Sequence, residues 1–165
     1  FTVDTTSTSS TATLSAGLVC VGTVENSNYV FSIPNDITTT IENGVATFDN
    51  IDIFQGTFLR KQFVVDGSLD QRFLLDNSFI DSSTIVVKVR GLSETGLGRE
   101  YAVASNILNI DSTSEIYLIQ EVKDERYELL FGDGYFGKKL ENGATISATY
   151  IITDGKDGNL SLIHI

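Results

Sequence analysis

Hydrophobic and polar residues alternate along this chain in short stretches that end at Gly, Asn or Asp. In residues 144–152 every second side chain is apolar, and the intervening ones are mostly Thr or Ser. Residues 84–90 follow the same rule, with Ile85, Val87 and Val89 on one face and Lys88 and Arg90 on the other. A period of two predicts strands with one buried face and one exposed face.

Turn residues divide these stretches into hairpins. Asn43-Gly44 and Asn142-Gly143 predict tight turns, because both residue types tolerate a positive φ. The polar run Lys123-Asp124-Glu125 separates two further apolar stretches and predicts a third turn. The predicted strands cover residues 17–24, 28–33, 38–42, 45–48, 52–55, 62–66, 71–75, 84–90, 116–122, 126–131 and 144–152.

The pattern predicts a mainly β fold of β-sandwich-like sheets with at most one or two short helices, one of them around residues 102–108. Residues 1–12 are mostly Thr, Ser and Asp and are expected to form a flexible lead-in. Residues 13–57 are predicted to form an N-terminal β subdomain and residues 58–159 a C-terminal one. Residues 160–165 do not continue the pattern and are read as a tail of uncertain origin.

The charge of the chain limits its partners. It has 22 acidic and 11 basic residues, for a net charge of −11. A field of this sign repels phosphate backbones, so no nucleic-acid partner is expected. The acidity suits solubility and a basic protein partner. No run of 18 apolar residues is present, so no membrane-spanning helix is expected either.

Residues able to carry catalysis are scarce. Cys20 is the only cysteine, which excludes an intrachain disulfide, and its apolar neighbours predict a buried, inert thiol. The only histidine, His164, lies one residue from the end. Without a nucleophile, a base or a metal cage, the chain is predicted not to be an enzyme and to need no cofactor or metal. Since it begins at Phe1 and contains no Met, it is expected to be a piece of a longer protein.

Two glycine-containing loops invite ligand-binding readings. Residues 132–139 carry three glycines and two lysines, as a phosphate-binding loop does, but Leu140 replaces the required Ser or Thr and no helix pattern follows. Residues 154–159 carry oxygen ligands for calcium, but Lys156 replaces an acidic ligand and no bidentate Glu follows. A demanding backbone link is therefore expected at the first loop and a polar turn at the second, with Asp133 bonding the amides of its own turn.

A family resemblance rests on the same region. The run from Glu121 to Gly137, with Tyr-Glu-Leu-Leu-Phe-Gly-Asp-Gly at its centre, resembles baseplate J-like proteins. More narrowly, it is similar to the large baseplate wedge subunits of T4-like contractile-tailed phages. Gln71-Arg72-Phe73 and residues 117–121 resemble the same subunits. The residues singled out as the structural motif are Phe131, Gly132, Asp133, Gly134, Gly137, Asn142, Gly143 and Tyr150.

The resemblance implies a structural component of the virion, located in the tail baseplate and assembled in the host cytoplasm. It implies assembly around the tail tube through contacts with other wedge proteins and with further copies of the same protein. No cofactor and no catalytic residue come with the family.

Two other function classes stay open at this point. A receptor- or glycan-binding adhesin module would need an exposed aromatic patch, for which Tyr101, Tyr135 and Phe136 are candidates. A hydrolase associated with the virion would need a pair of catalytic carboxylates.

Overall fold

The computed structural model of the chain describes residues 1–24, 27–68, 70–105 and 107–153. Within these residues it has fourteen strands and a single 3-10 turn at Ile107–Asn109, which confirms the mainly β prediction. The strands are β1 (Thr2–Asp4), β2 (Thr11–Leu14), β3 (Gly17–Val24), β4 (Ser27–Ile33), β5 (Ile37–Glu42), β6 (Val45–Thr47), β7 (Phe54–Gln55), β8 (Thr57–Val64), β9 (Phe73–Leu75), β10 (Ile80–Arg90), β11 (Arg99–Val103), β12 (Ile116–Val122), β13 (Arg126–Phe131) and β14 (Thr145–Ile152).

The strands of the described residues form three sheets. Two are small, with the orders β1-β6-β5-β2 and β3-β4-β7, and the large one has the order β8-β14-β10-β11-β12-β13-β9. Neighbouring strands in the large sheet are antiparallel except for β11 and β12, which are parallel. A parallel pair needs a crossover connection, and here the segment that contains the 3-10 turn provides it.

The large sheet curls until its two edge strands approach each other. The ring of Phe63 in β8 meets that of Phe73 in β9 edge to face, with centroids 5.6 Å apart. The side-chain amide of Gln71 also donates to the carbonyl oxygen of Val64 at 2.7 Å. The curled sheet encloses one apolar core, whose buried members are Val65, Leu75, Ile80, Ile85, Val87, Val89, Tyr101, Tyr117, Leu129, Ala144, Ile146, Ala148 and Tyr150.

The outer face of the large sheet is partly covered by the small sheet β3-β4-β7. Ile151 points away from the enclosed core and is nevertheless fully buried. The hydroxyl of Ser32 in β4 donates to the carbonyl oxygen of Gly56 at 2.9 Å, and the amide of Gly56 donates to Val30 at 2.8 Å. A side chain at Gly56 would collide with Ile151 and with the backbone of Ile152. The two parts of the chain are therefore packed together at the start of β8.

The predicted turns are confirmed. Asn43 and Gly44 adopt φ values of 52° and 78° between the paired strands β5 and β6. The second hairpin joins β12 to β13, and Asp124 and Glu125 there adopt φ values of 67° and 56°. Alternation also predicts the buried face correctly, because Val87, Ile146 and Tyr150 all lie in the core.

Three sequence expectations differ from the structure. Residues 1–12, expected to form a flexible lead-in, contribute β1 and the first half of β2, because strands later in the chain complete their hydrogen bonding. The helix predicted around residues 102–108 is instead the end of β11 followed by the 3-10 turn, because β11 pairs with β10 and β12. Cys20 is exposed rather than buried, because the sheet β3-β4-β7 leaves that position of β3 open to solvent.

Candidate functional site

The glycine segment, residues 131–137, begins where β13 ends. Phe131 is held in an aromatic cluster inside the large sheet. Its ring lies 5.4 Å from that of Phe73 and 6.1 Å from that of Tyr101, both edge to face, and 6.4 Å from that of Tyr117. Edge-to-face pairs add to the stabilisation that burial of the rings provides. The entry to the segment is therefore fixed by core packing.

Asp133 organises the turn that follows. Its Oδ1 accepts hydrogen bonds from the amides of Tyr135 and Phe136, both at 2.8 Å. These two bonds lower the pKa of the Asp133 carboxyl below its ordinary value, and the bond from Phe136 has the larger effect. The carboxylate thus satisfies donors of its own turn, as expected from the sequence.

Every backbone amide from residue 134 to residue 138 has an acceptor inside the protein. Gly134 donates to Gly137, and Tyr135 and Phe136 donate to Asp133. The last two amides reach the crossover segment, where the amide of residue 137 donates to Asp111 at 3.0 Å and that of residue 138 to Ser114 at 2.8 Å. A phosphate cradle requires several free amides pointing at the anion. This segment offers none of these five, so its resemblance to a phosphate-binding loop is superficial.

Two glycines of the segment are required for different structural reasons. Gly134 adopts a φ of 96°, which favours glycine over residues with a side chain. Gly132 has no positive φ, but a Cβ there would overlap the backbone of Gly137. A positive φ therefore accounts for glycine at position 134, and close approach of two backbone segments accounts for it at position 132.

Charged side chains brace the same end of the sheet. Glu115 accepts from Lys138 at 2.8 Å and pairs with Arg99 at 3.2 Å, and Arg99 also pairs with Glu94 at 2.9 Å. The bond from Lys138 is the main reason that the pKa of Glu115 is lowered, and it raises the pKa of Lys138 in turn. This chain of pairs ties the residue that follows the glycine segment to β11 and to the start of β12.

The other motif residues lie outside the glycine segment. Asn142 and Gly143 form the turn before β14, where the amide of Gly143 donates to Val65 at 2.6 Å. Tyr150 is buried within β14, its hydroxyl donates to Asn77 at 2.6 Å, and burial raises its pKa. The structure therefore joins Phe131 to Gly137 in one loop and does not bring the other three residues into it.

The three aromatic candidates for an adhesive patch separate in the structure. Tyr101 is only 5% exposed, because it faces inward from β11, so its proposed place in an exposed patch is wrong. Phe136 is half-buried. Tyr135 is 89% exposed at the tip of the glycine segment.

A group of basic side chains on the outer face of the large sheet is not apparent from the sequence pattern. Arg60 in β8 and Lys88 and Arg90 in β10 line one groove together with Ser147 and Thr149 of β14. The alternation in residues 84–90 placed Lys88 and Arg90 on one face. Arg60 joins them only because β14 lies between β8 and β10.

Two kinds of site are not found in the described part of the chain. No group of three or more His, Cys, Asp or Glu residues there could hold a metal ion. No helix among those residues is long and apolar enough to cross a membrane. The candidate calcium loop at residues 154–159, His164 and the tail at residues 160–165 lie outside the described residues.

Comparison with known proteins identifies the family. The family model for the third domain of bacteriophage baseplate wedge protein gp6 matches residues 57–156, which is more than half of the chain and includes the whole large sheet with its glycine segment. No curated protein matches the chain. The chain belongs to the family of the third domain of bacteriophage baseplate wedge protein gp6, and is accordingly a structural component of a phage tail baseplate.

Proposed function

We propose that the chain acts in the baseplate by protein–protein assembly around the tail tube, in contact with other wedge proteins and with further copies of itself. The observation that carries this proposal is the family match over the entire large sheet. The glycine segment supports it, because internal acceptors for five successive amides make that segment a brace rather than a ligand cradle.

Exposed apolar side chains support a protein partner. Leu118 and Leu130 are direct cross-strand neighbours on the outer face of β12 and β13, and they are 38% and 36% exposed. Cross-strand apolar pairs gain stability when a partner covers them. The net charge of −11 argues against a nucleic-acid partner in that assembly.

The remaining parts of the proposal concern the activity, the location, the wider kinship and the subdomains of the protein. We propose that the protein is not an enzyme, that it makes no contact with a membrane, and that it assembles in the host cytoplasm before joining the virion. The broader baseplate J-like kinship belongs here too, supported by the sequence of the glycine segment. A division into subdomains at residues 13–57 and 58–159 is supported by sheet membership, since the large sheet begins with β8 at Thr57–Val64.

Co-purification tests the proposal. The tagged chain would be co-expressed with the other wedge proteins of the same phage, and light scattering would give the mass of what is recovered. We expect at least one wedge protein to be retained, at a mass above that of the chain alone. A monomer that retains none of them would contradict the assembly role. A Leu118→Ser, Leu130→Ser variant is expected to retain less, and a Leu18→Ser, Leu92→Ser variant, at exposed leucines elsewhere, serves as its control.

One observation favours the second candidate function, a receptor- or glycan-binding adhesin. Tyr135 presents a nearly fully exposed ring on a braced loop, and exposed aromatic rings pack against sugars. Glycan-array binding that a Tyr135→Ala substitution abolishes would support this function. Absence of binding on the array, together with retention of wedge proteins, would exclude it in favour of assembly.

A further inference from the structure

A groove of about 120 Å³ lies on the outer face of the large sheet, at the border of the small sheets. Its floor consists of outward-facing side chains of β8, β14 and β10. Its other wall comes from Ala16 and residues 34–36, which lie on either side of β3 and β4. The groove therefore exists only where the two halves of the chain meet.

Strand register arranges the floor in rows. Arg60 and Val86 both pair with Thr149, so these three residues form one row across the sheet. In the next row Gln62 and Lys88 pair with Ser147. The third row pairs Arg90 with Thr145. Successive rows on one face of a sheet are about 7 Å apart along the strands, so each row adds one cation at that interval. β14 separates Arg60, in β8, from Lys88 and Arg90, in β10.

These three cations have no carboxylate partner in the described part of the chain. The ion pairs found there use the cations of Lys61, Arg72, Arg99, Arg126 and Lys138. Arg90 makes only a long 3.5 Å bond to the carbonyl oxygen of Gly96. Unpaired cations are unexpected in a chain with twice as many acidic as basic residues. The concentration of three of them in one groove points to an anionic partner.

The acidic groups near the groove do not neutralise it. Asp36 lines the rim, where its Oδ1 accepts the backbone amide of Ala16 at 2.7 Å, and it forms no ion pair with any of the three cations. Glu100 pairs with Lys88 in strand register without an ion pair between their side chains. Between the cations lie the hydroxyl side chains of Thr145 and Ser147, which can donate hydrogen bonds to an acceptor, and that of Thr149, which donates to the carbonyl oxygen of Val86 at 3.5 Å.

We propose that this cationic groove, formed by Arg60, Lys88 and Arg90 over the hydroxyl row of β14, binds an extended acidic segment of a neighbouring baseplate protein. An extended chain presents alternate side chains about 7 Å apart, which matches the spacing of the rows. Carboxylates at alternating positions of the segment pair with the three cations. The proposal rests on the assembly role only in naming a baseplate protein as the source of the segment.

A polyphosphate fits the groove less well. The chain carries a net charge of −11, which opposes a densely charged polyanion over the whole surface. A nucleic acid carries one negative charge per nucleotide along its whole length, so the negative charge of the protein repels it outside the groove as well. A short peptide with a few carboxylates contacts only the groove.

Nuclear magnetic resonance titration tests the proposal. The ¹⁵N-labelled chain would be titrated with a capped peptide that alternates Glu and Thr over eight residues, and with the matched peptide in which Gln replaces Glu. We expect the acidic peptide to shift the amide signals of β14 and of residues 86–90. Its affinity should fall at least tenfold as the salt concentration is raised. Equal binding of the Gln peptide, or tighter binding of a thymidine oligonucleotide at the same amides, would overturn the proposal.

Variants provide the matched control. The triple variant Arg60→Gln, Lys88→Gln, Arg90→Gln is expected to weaken acidic-peptide binding at least tenfold. The double variant Lys123→Gln, Lys139→Gln removes unpaired cations outside the groove and is expected to change binding less than twofold. Equal losses in the two variants would refute the proposal. If the triple variant does not fold, Arg60→Gln and Arg90→Gln singly are each expected to weaken binding severalfold.

The groove and the assembly role fail in different ways. If the triple variant retains wedge proteins as well as the unmodified chain does, the groove proposal is refuted and the assembly role stands. If the unmodified chain retains no wedge protein, the assembly role is refuted, whereas peptide binding still reports on the groove itself.

Discussion

The large sheet and the two small sheets are built on different balances of burial and exposure. Every buried member of the core cluster belongs to the large sheet or its connections, from Val65 to Tyr150. The part of the chain before β8 adds the buried apolar side chains Ile33, Ala46 and Phe48. That part also leaves exposed Phe1, Val3, Leu18, Val21 and Ile53.

Charge follows the same division. All ion pairs of the described residues lie between Lys61 and Lys138, and all groups there with a shifted pKa follow β8. The small sheets are held mainly by backbone pairing and by polar contacts such as the 2.9 Å bond between the hydroxyls of Thr13 and Thr38. The large sheet therefore carries the enclosed core and the ion pairs, whereas the small sheet β3-β4-β7 covers part of one of its faces.

Truncation of a leucine in each region gives the largest expected contrast. Leu129 is 1% exposed in the core, and Leu129→Ala should lower the free energy of unfolding by roughly 2–5 kcal/mol, because it leaves a cavity. Leu18 is 63% exposed in β3, and Leu18→Ala should change it by less than about 0.5 kcal/mol. Urea unfolding followed by circular dichroism measures both. Similar losses for the two variants would break the contrast.

Substitution of a glycine in each region comes next. Gly132→Ala pushes a methyl group into the backbone of Gly137 and should cost roughly 3 kcal/mol. Gly44→Ala, in the β5–β6 turn, meets only ordinary contact with Thr5 and should cost about 1 kcal/mol, for its positive φ alone. The melting temperatures of the two variants would rank them. A milder effect at Gly132 would show that the two backbone segments can separate.

Acid should weaken the large sheet selectively. Hydrogen bonds from Arg72, at 2.7 Å to each carboxylate oxygen, lower the pKa of Glu128 below 4.5. A lowered carboxyl pKa contributes stability above the unfolded value, and that contribution is lost as the pH falls through the folded pKa. Glu128→Gln should therefore flatten the dependence of unfolding free energy on pH below about 4.5.

The control for the acid effect lies in a small sheet. Glu42→Gln removes a carboxylate from β5 without disturbing any ion pair of the described residues, and its pH curve should parallel that of the unmodified chain. Urea unfolding at a series of pH values measures all three proteins. Equal flattening in the two variants would show that the effect does not belong to the Arg72–Glu128 pair.

The smallest expected effect concerns the two hairpin turns. Glu125 adopts a φ of 56° in the β12–β13 turn, so Glu125→Gly should raise the free energy of unfolding by up to about 1 kcal/mol. Asn43 adopts a φ of 52° in the β5–β6 turn, but Asn tolerates that conformation, and Asn43→Gly should be nearly neutral. Thermal unfolding of both variants tests this, and stabilisation by Asn43→Gly alone would contradict it.

Local pattern predicted much of the fold for a physical reason. The alternation in residues 84–90 and 144–152 correctly placed Val87 and Ile146 in the core, because side chains on a strand necessarily point to opposite faces. Pattern failed at β1, where pairing with the distant β6 decides the conformation, and at β11, where pairing with both β10 and β12 does so. It also failed for Cys20, because burial depends on which face of a sheet is covered.

In the candidate sites, too, some features follow from neighbouring residues and others only from the tertiary structure. Local residue chemistry sufficed for Asp133, whose bonds reach only the next turn residues. It could not assign the cause at Gly132, because the obstructing backbone lies five residues later and is brought back by the turn. It could not assemble the cationic groove, because Arg60 is 28 residues from Lys88 in the sequence and joins it only through β14.

The sequence by itself determined the mainly β class, the hairpin turns and the kinship of the glycine segment, because each depends on residues close together in the chain. Only the tertiary structure decided which faces are covered, which amides are already bonded and which cations stand together without a carboxylate in the described part. These properties arise from strand order and register, which bring distant residues into contact, and neither can be read from a local pattern of hydrophobic and polar positions.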